Sequence, residues 1–308
     1  MRANWGRALS CQGRLSASQI PHALSNAVKR QSLSHLMPKT LLISCLVTLL
    51  SACGGGADFA PIVTQIQARS LLYGQSAVIN LAGKYMRNDM IAETATCTNP
   101  TFSAASNPDR ATLNCKVTAT GALPITIKSA NGTVLYAETL NVLPPQVTLV
   151  TSSGSIVMEL DAAAVPTTVN NFLSYVTSGY YGNTLFHRVI PGFVIQGGGY
   201  TTGVIKKAGQ VAPIALESNK GLLNTRGTLA MARTNVPASA TSEFFINLVD
   251  SPLLDYQNAT NPGYAVFGKV VQGIEVVDAI AAAPTAMVNG FADVPTKDIT
   301  VLLAVQTQ

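Results

Sequence analysis

The histidines and cysteines of this 308-residue chain are few and poorly placed for covalent or metal chemistry. His22 and His35 lie near the N-terminus, and His187 is the only histidine beyond them. The cysteines are Cys11, Cys45, Cys53, Cys97 and Cys115, so none follows residue 115. The second half therefore offers no Cys/His pair for nucleophilic catalysis and no two-histidine cluster for zinc. Gly197-Gly198-Gly199 follows a strand-like run but lacks the spacing and helix of a dinucleotide loop, and no Walker pattern is present. What stands out instead is a dense run, Phe186-His187-Arg188-Val189-Ile190-Pro191-Gly192-Phe193-Val194-Ile195-Gln196-Gly197-Gly198.

The elements that must position this run follow a Pro144-Pro145 boundary. Val147, Leu149, Ile156, Met158 and Leu160 alternate around Ser152-Ser153-Gly154, the pattern of a β-hairpin. Pro166 opens a helix at a position where its missing N–H costs nothing. Val169, Phe172, Leu173 and Val176 give that helix one apolar face, and Gly179 ends it. A second helix is expected from Gly273 to about Ala282, before Pro284. Short strands fall at residues 193–196, 228–232, 244–248, 264–270 and 299–305. Many strands and two helices fit a barrel with helices over its open ends.

Residues 61–143 read differently. Short β-type runs at 76–81, 111–117, 124–128 and 133–142 are broken by turn signals, with Asn131-Gly132 between the last two. This predicts a small β-sandwich of immunoglobulin-like kind. Cys97 and Cys115 both lie in it. In an oxidising compartment they could pair; two buried free thiols are the alternative.

The formal charge of +5 is unevenly placed. Residues 1–52 hold six Lys/Arg and no acid, leaving 14 basic against 15 acidic residues. The basicity is thus a property of the leader, and no nucleic-acid partner is expected. Residues 41–52, LLISCLVTLLSA, are too short to span a bilayer, which needs ~20 residues. They suit the apolar region of a signal peptide. Leu50-Ser51-Ala52-Cys53 resembles the lipobox of bacterial lipoproteins, which implies cleavage before Cys53 and acylation of that cysteine. The leader is then residues 1–52, with Met37 as a candidate true start, and residues 53–60 form a Gly-rich tether. Several acyl chains give stable membrane anchoring where one does not.

The run at 186–198 resembles the signature of the cyclophilin-type peptidyl-prolyl cis/trans isomerases. Thr228-Leu229-Ala230-Met231-Ala232-Arg233, Ser242-Glu243-Phe244-Phe245-Ile246-Asn247 and Tyr264-Ala265-Val266-Phe267-Gly268-Lys269-Val270 match the family's later blocks in order. The resemblance covers about Val147 to Val305, essentially the whole of the module expected at residues 146–308, and its details are those of the bacterial branch. It implies a mainly β fold: an eight-stranded antiparallel barrel capped by two helices. It implies rotation about X–Pro bonds without nucleophile, metal or cofactor.

The resemblance also assigns roles. Arg188 becomes the catalytic group. Phe193, Val194, Phe245 and Leu254 correspond to the apolar pocket for the proline ring. Gln196 matches a side chain that hydrogen-bonds substrate backbone, and Ala232 and Arg233 match a peptide-binding strand. Tyr264 replaces a pocket histidine and keeps a flat wall. Glu243 stands where many members have Gln, and is expected among the substrate-binding residues, paired with Arg188 and restraining it. Leu253 aligns with a Trp of eukaryotic members. His187 is expected to be structural.

These observations predict an isomerase acting on proline-containing segments of unfolded or envelope proteins. The expected location is the periplasmic face of the outer membrane, through a lipid anchor. The alternative is a non-enzymatic cyclophilin-like chaperone, for which a restrained Arg188 is the main support.

Overall fold

The structure is a computed structural model that describes residues 59–104 and 107–308. Residues 1–58, which include the expected leader, Cys53 and the expected tether, lie outside the described residues. The described residues form one compact unit. Among the described residues, no helix is long and apolar enough to cross a membrane.

The first seven strands are β1 (Ile62–Ala68), β2 (Ser76–Lys84), β3 (Ile91–Glu93), β4 (Cys97–Ala104), β5 (Arg110–Val117), β6 (Gly121–Lys128) and β7 (Val134–Val142). They form two antiparallel sheets, β1-β2-β5-β4 and β3-β6-β7. That is the strand order of an immunoglobulin constant-type sandwich. Period-2 alternation buries one side of each sheet: Ile79 and Leu81, Leu113 and Cys115, then Leu123, Ile125 and Ile127. Cys97 on β4 and Cys115 on β5 are joined as a disulfide, with Cα atoms 5.4 Å apart. The bond links neighbouring strands of one sheet rather than the two sheets.

Asn131-Gly132 does mark a hairpin, but of a longer kind than a two-residue turn. Gly132 N–H donates to Ser129 O and Ser129 N–H to Thr133 O, both at 2.9 Å, with Gly132 at φ 87°. This is a type I turn closed by a left-handed residue, one of the common hairpin connections.

Beyond Pro144-Pro145 come β8 (Gln146–Thr151), β9 (Gly154–Leu160), α1 (Pro166–Thr177), β10 (Thr184–Ile190), β11 (Val194–Gly197), β12 (Tyr200–Thr201), β13 (Ile205–Lys206), β14 (Thr228–Met231), β15 (Phe244–Asn247), β16 (Val266–Gln272), α2 (Ile274–Ala281), β17 (Thr285–Val288), β18 (Phe291–Pro295) and β19 (Thr300–Gln306). Eight of them close into an antiparallel barrel in the order β10-β11-β15-β14-β16-β9-β8-β19. Closure leaves no unpaired barrel edge. Both predicted helices are present. The hairpin β17–β18 is an element the sequence reading omitted.

Helix α1 turns Val169, Phe172, Leu173 and Val176 inward. Val165 at its N-cap supplies no side-chain acceptor. Glu217 from a distant loop does so instead, accepting from Thr168 N (2.8 Å), Thr168 Oγ1 (2.7 Å) and Thr167 N (3.3 Å). An acid is favourable there because the first-turn N–H groups lack helical partners. The sandwich and barrel share polar ties at Gln306, whose Nε2 donates to Tyr73 O (3.1 Å) and whose Oε1 accepts from Gln75 Nε2 (3.2 Å).

Candidate active site

Strand pairing sets the site. Gln196 on β11 lies opposite Phe245 on β15, Phe245 opposite Ala230 on β14, and Ala230 opposite Val266 on β16. Directly opposed residues share a face, so these four form one row across the sheet. The next residue along β15, Phe244, must point the other way. It does: Phe244 is fully buried among Phe172, Phe186 and Tyr181, with edge-on ring contacts of 5.5, 6.1 and 5.6 Å. Phe186 and Phe267 are likewise interior. Phe245 instead joins a separate apolar cluster with Val194, Ala230 and Val266, against which Phe193, Ala232, Leu254 and Tyr264 pack.

This outer cluster opens into a cavity of about 250 Å³ lined by Arg188, Phe193, Val194, Gln196, Ala232, Arg233, Phe245, Leu254 and Tyr264. Nine of the ten residues expected at the catalytic and substrate-binding positions thus line one cavity. A larger hollow of about 550 Å³ includes Thr120, Pro144, Leu160, Ala162 and Leu222. It contains none of the matched functional positions, and its size does not outweigh that.

Local sequence explains the placements. Pro191-Gly192 makes a turn in which Phe193 N–H donates to Ile190 O at 3.0 Å, with Gly192 at φ 73°. Proline followed by a positive-φ glycine is the type II signature. It sends β11 back beside β10 and sets Phe193 at the rim. Leu254 ends a 3-10 turn, Pro252–Leu254, and its carbonyl accepts from Tyr264 N–H at 2.8 Å. Tyr264 stands edge-on to Phe245 with ring centroids 5.5 Å apart. The Arg233 guanidinium lies 4.7 Å over the Tyr264 ring and donates from Nε to Gly263 O (2.9 Å). Arg233 thus braces the Tyr264 wall. Leu253, beside the cavity residue Leu254, is 81% exposed.

Glu243 is the residue placed differently from expectation. It does not line the cavity, and it does not pair with Arg188. Its Oε2 accepts from Gln196 Nε2 at 2.9 Å and lies 3.4 Å from His187 Nε2. The register allows it: Phe186 pairs with Gly197 and Arg188 with Gln196, so His187 falls at a β-bulge on β10 beside Gln196. Burial raises the Glu243 carboxyl, but hydrogen bonds from His187 and Gln196, with the charges of His187 and Lys206, outweigh it and hold it below the usual range. As an acceptor it fixes the Gln196 amide, so Nε2 faces Glu243 and Oε1 is left for another partner. His187 is buried against Tyr200, with ring centroids 4.5 Å apart.

The acid that does face Arg188 is Asp293, on the unforeseen hairpin, with Oδ2 4.0 Å from Nε. The signal for that hairpin was Asn289-Gly290, a two-residue turn with φ of 50° and 83°.

Residues 146–305 match the family described as cyclophilin type peptidyl-prolyl cis-trans isomerase/CLD. The chain is 48% identical over 155 residues to peptidyl-prolyl cis-trans isomerase A of Dickeya dadantii, covering 50% of this chain and 80% of that protein. It is 49% identical over 155 residues to peptidyl-prolyl cis-trans isomerase B of Escherichia coli, covering 50% of this chain and 94% of the relative. A peptidyl-prolyl cis-trans isomerase of Acinetobacter baylyi is 49% identical over 152 residues, covering 49% of this chain and 80% of the relative. With the closed eight-stranded barrel and the ordered blocks on its outer face, these matches show that the chain belongs to the cyclophilin-type peptidyl-prolyl cis-trans isomerase family.

Proposed function

We propose that this peptidyl-prolyl isomerase binds a proline ring in the cavity floored by Phe245 and Val194, and that Arg188 at its rim lowers the barrier to rotation. The observation that carries the proposal is the shared cavity itself: a hollow of about 250 Å³ in which the apolar side chains of Phe193, Val194, Phe245 and Leu254 meet the guanidinium of Arg188, while that of Arg233 is engaged on Tyr264 and Gly263 O. The barrier to peptide rotation is ~18–20 kcal/mol, from amide resonance. Uncatalysed X–Pro exchange takes tens to hundreds of seconds. In the twisted state the proline nitrogen regains its lone pair and becomes an acceptor. Arg188 is always charged and carries five N–H donors. A hydrogen bond to that nitrogen forms only once resonance is broken. It therefore strengthens in the transition state, which is the condition for acceleration. No bond breaks, so the chemistry asks only for binding and a donor.

Gln196 and the main chain at Ala232 hold the flanking peptide in this reading. Phe193, Leu254 and Tyr264 form the walls. Glu243 acts through Gln196 rather than on Arg188, whose acidic neighbour is Asp293.

The test is turnover of an Ala-Pro peptide by wild type and Arg188→Ala, with peptide binding measured beside it. Arg188→Ala should bind peptide yet lose most of its kcat/KM. Equal turnover in both would remove Arg188 from the mechanism.

We also propose that Cys53 carries the lipid anchor and that the substrates are proline-containing segments of envelope proteins at the periplasmic face of the outer membrane. The support is the Leu50-Ser51-Ala52-Cys53 sequence after a short apolar run. Labelling of growing cells with a tagged fatty acid should mark the wild type and not Cys53→Ser. Unlabelled wild type in the soluble fraction would sink this.

A further inference from the structure

The hairpin β17–β18 has a defect in a useful place. Its pairs are Val288 with Phe291 and then Ala286 with Val294, so β18 carries one residue more than β17 between them. The extra residue is a β-bulge, a device that re-aims side chains and is common beside active sites. Asp293 lies in this stretch with φ 61°, a left-handed conformation that side-chain-bearing residues seldom adopt. From there its carboxylate reaches to 4.0 Å from Arg188 Nε. Among the described residues this is the one charged partner of Arg188.

The hairpin is held at its turn by two contacts. Phe291 packs edge-on to Tyr200 at 5.2 Å, and Tyr200 packs on His187, the neighbour of Arg188. Asn289 Nδ2 donates to Gly203 O at 2.9 Å. The Asp293–Arg188 pair itself is half-exposed, with side chains 40% and 43% accessible. Such pairs add little to stability. An unfavourable backbone conformation that delivers a weak ion pair to the rim of the cavity serves orientation better than stability.

We propose that Asp293 is a positioning residue for the isomerisation. It holds the guanidinium by its Nε edge, so that Nη1 and Nη2 face the proline nitrogen. This rests on the reading of Arg188 given above. Without Asp293 the same charge is present but samples more orientations. The donor then reaches the twisted amide less often, while the ring pocket is untouched.

The test is a double-mutant cycle on the full chain. Wild type, Asp293→Asn, Arg188→Ala and the double variant are compared for kcat/KM on an Ala-Pro peptide, with peptide affinity measured separately by NMR titration. Asparagine keeps the shape and tolerates positive φ, so the substitution removes only the charge. Asp293→Asn should lower kcat/KM by about two- to fivefold, the coupling of a half-exposed pair, with peptide affinity unchanged. In the Arg188→Ala background the same substitution should do nothing further. Asp293→Gly, which also fits φ 61°, should reproduce the loss and covers a poorly folding Asn variant. An undiminished rate in both Asp293 variants, or an equal loss with and without Arg188, overturns the proposal. If Arg188→Ala turns over like wild type, the reading of Arg188 falls first and this one with it.

Discussion

Replacing Glu243 by alanine tests how the barrel holds the site together. The carboxylate accepts from Gln196 Nε2 at 2.9 Å and lies 3.4 Å from His187 Nε2. His187 is 4% exposed, and its Nδ1 already has no hydrogen-bond partner. Removing Glu243 orphans its second nitrogen too. Leaving a buried polar group unsatisfied costs ~1–3 kcal/mol, and losing a hydrogen bond to a charged acceptor ~1.5–3 kcal/mol. The two losses share one carboxylate, so they do not add in full. A fall of roughly 2–4 kcal/mol in unfolding free energy is expected from those ranges. At ~2–4 °C per kcal/mol for a unit of this size, Tm should drop by roughly 5–15 °C. Glu243→Gln keeps an acceptor at nearly the same place and should cost under ~1 kcal/mol, the net worth of one ordinary hydrogen bond. Urea and thermal unfolding of the three proteins measure this directly. The informative second readout is turnover. Glu243→Ala frees Gln196 but leaves Arg188 and the ring pocket in place, so kcat/KM should fall less than in Arg188→Ala. A stability loss below ~0.5 kcal/mol, within the range of unremarkable surface changes, would refute the view that Glu243 satisfies buried groups.

Three other outcomes are expected. Because Glu243 titrates below the usual carboxylate range when folded, its contribution is full above the ordinary carboxylate pKa and is lost as pH falls through the lowered folded value. Acid should therefore destabilise wild type more steeply than Glu243→Gln; parallel pH–stability curves would contradict that sign. Opening the Cys97–Cys115 bond, which spans 18 residues, should cost ~3 kcal/mol on the chain-entropy account. Unfolding with and without reductant checks it, with alkylation before reduction showing whether the thiols are blocked. Glu217→Ala removes the one side-chain acceptor found among the described residues at the start of α1 and should cost ~1–2 kcal/mol, the range for losing a helix cap; an unchanged melting curve would show that solvent caps α1 equally well.

The barrel and its outer face were largely legible in the sequence, for physical reasons. Strands such as Phe244-Phe245-Ile246-Asn247 carry apolar side chains on both faces, because one face fills the barrel and the other floors the cavity. Helix α1 was legible through its 3.6-residue apolar stripe and Pro166. In the sandwich, strands β1, β3 and β4 were missed. β3 has only three residues, and β4 spans a register shift between Thr98 and Thr101 that breaks alternation. The hairpin β17–β18 was missed because most of its side chains are exposed and show no periodicity. Only Asn289-Gly290 betrays it.

What stayed hidden is instructive about charge. Apolar positions announce themselves by repetition along one element. An ion pair joins two elements whose separation is set only by the closed fold. Glu243, inside one of the matched blocks, is the natural partner to assign to Arg188 from the motif alone. Yet it meets His187 and Gln196 instead, with His187 at the register shift between Phe186 and Arg188 on β10. Asp293 lies 105 positions from Arg188 in the chain and enters only through a bulge with positive φ. On the proposed reading, the sequence blocks name the side chains that line the cavity, while Asp293, outside those blocks, orients the guanidinium proposed to act on the proline. If the catalytic step is the one proposed, a donor offered to the proline nitrogen as resonance is lost, then a reaction that breaks no bond depends on that orientation more than on any shifted pKa.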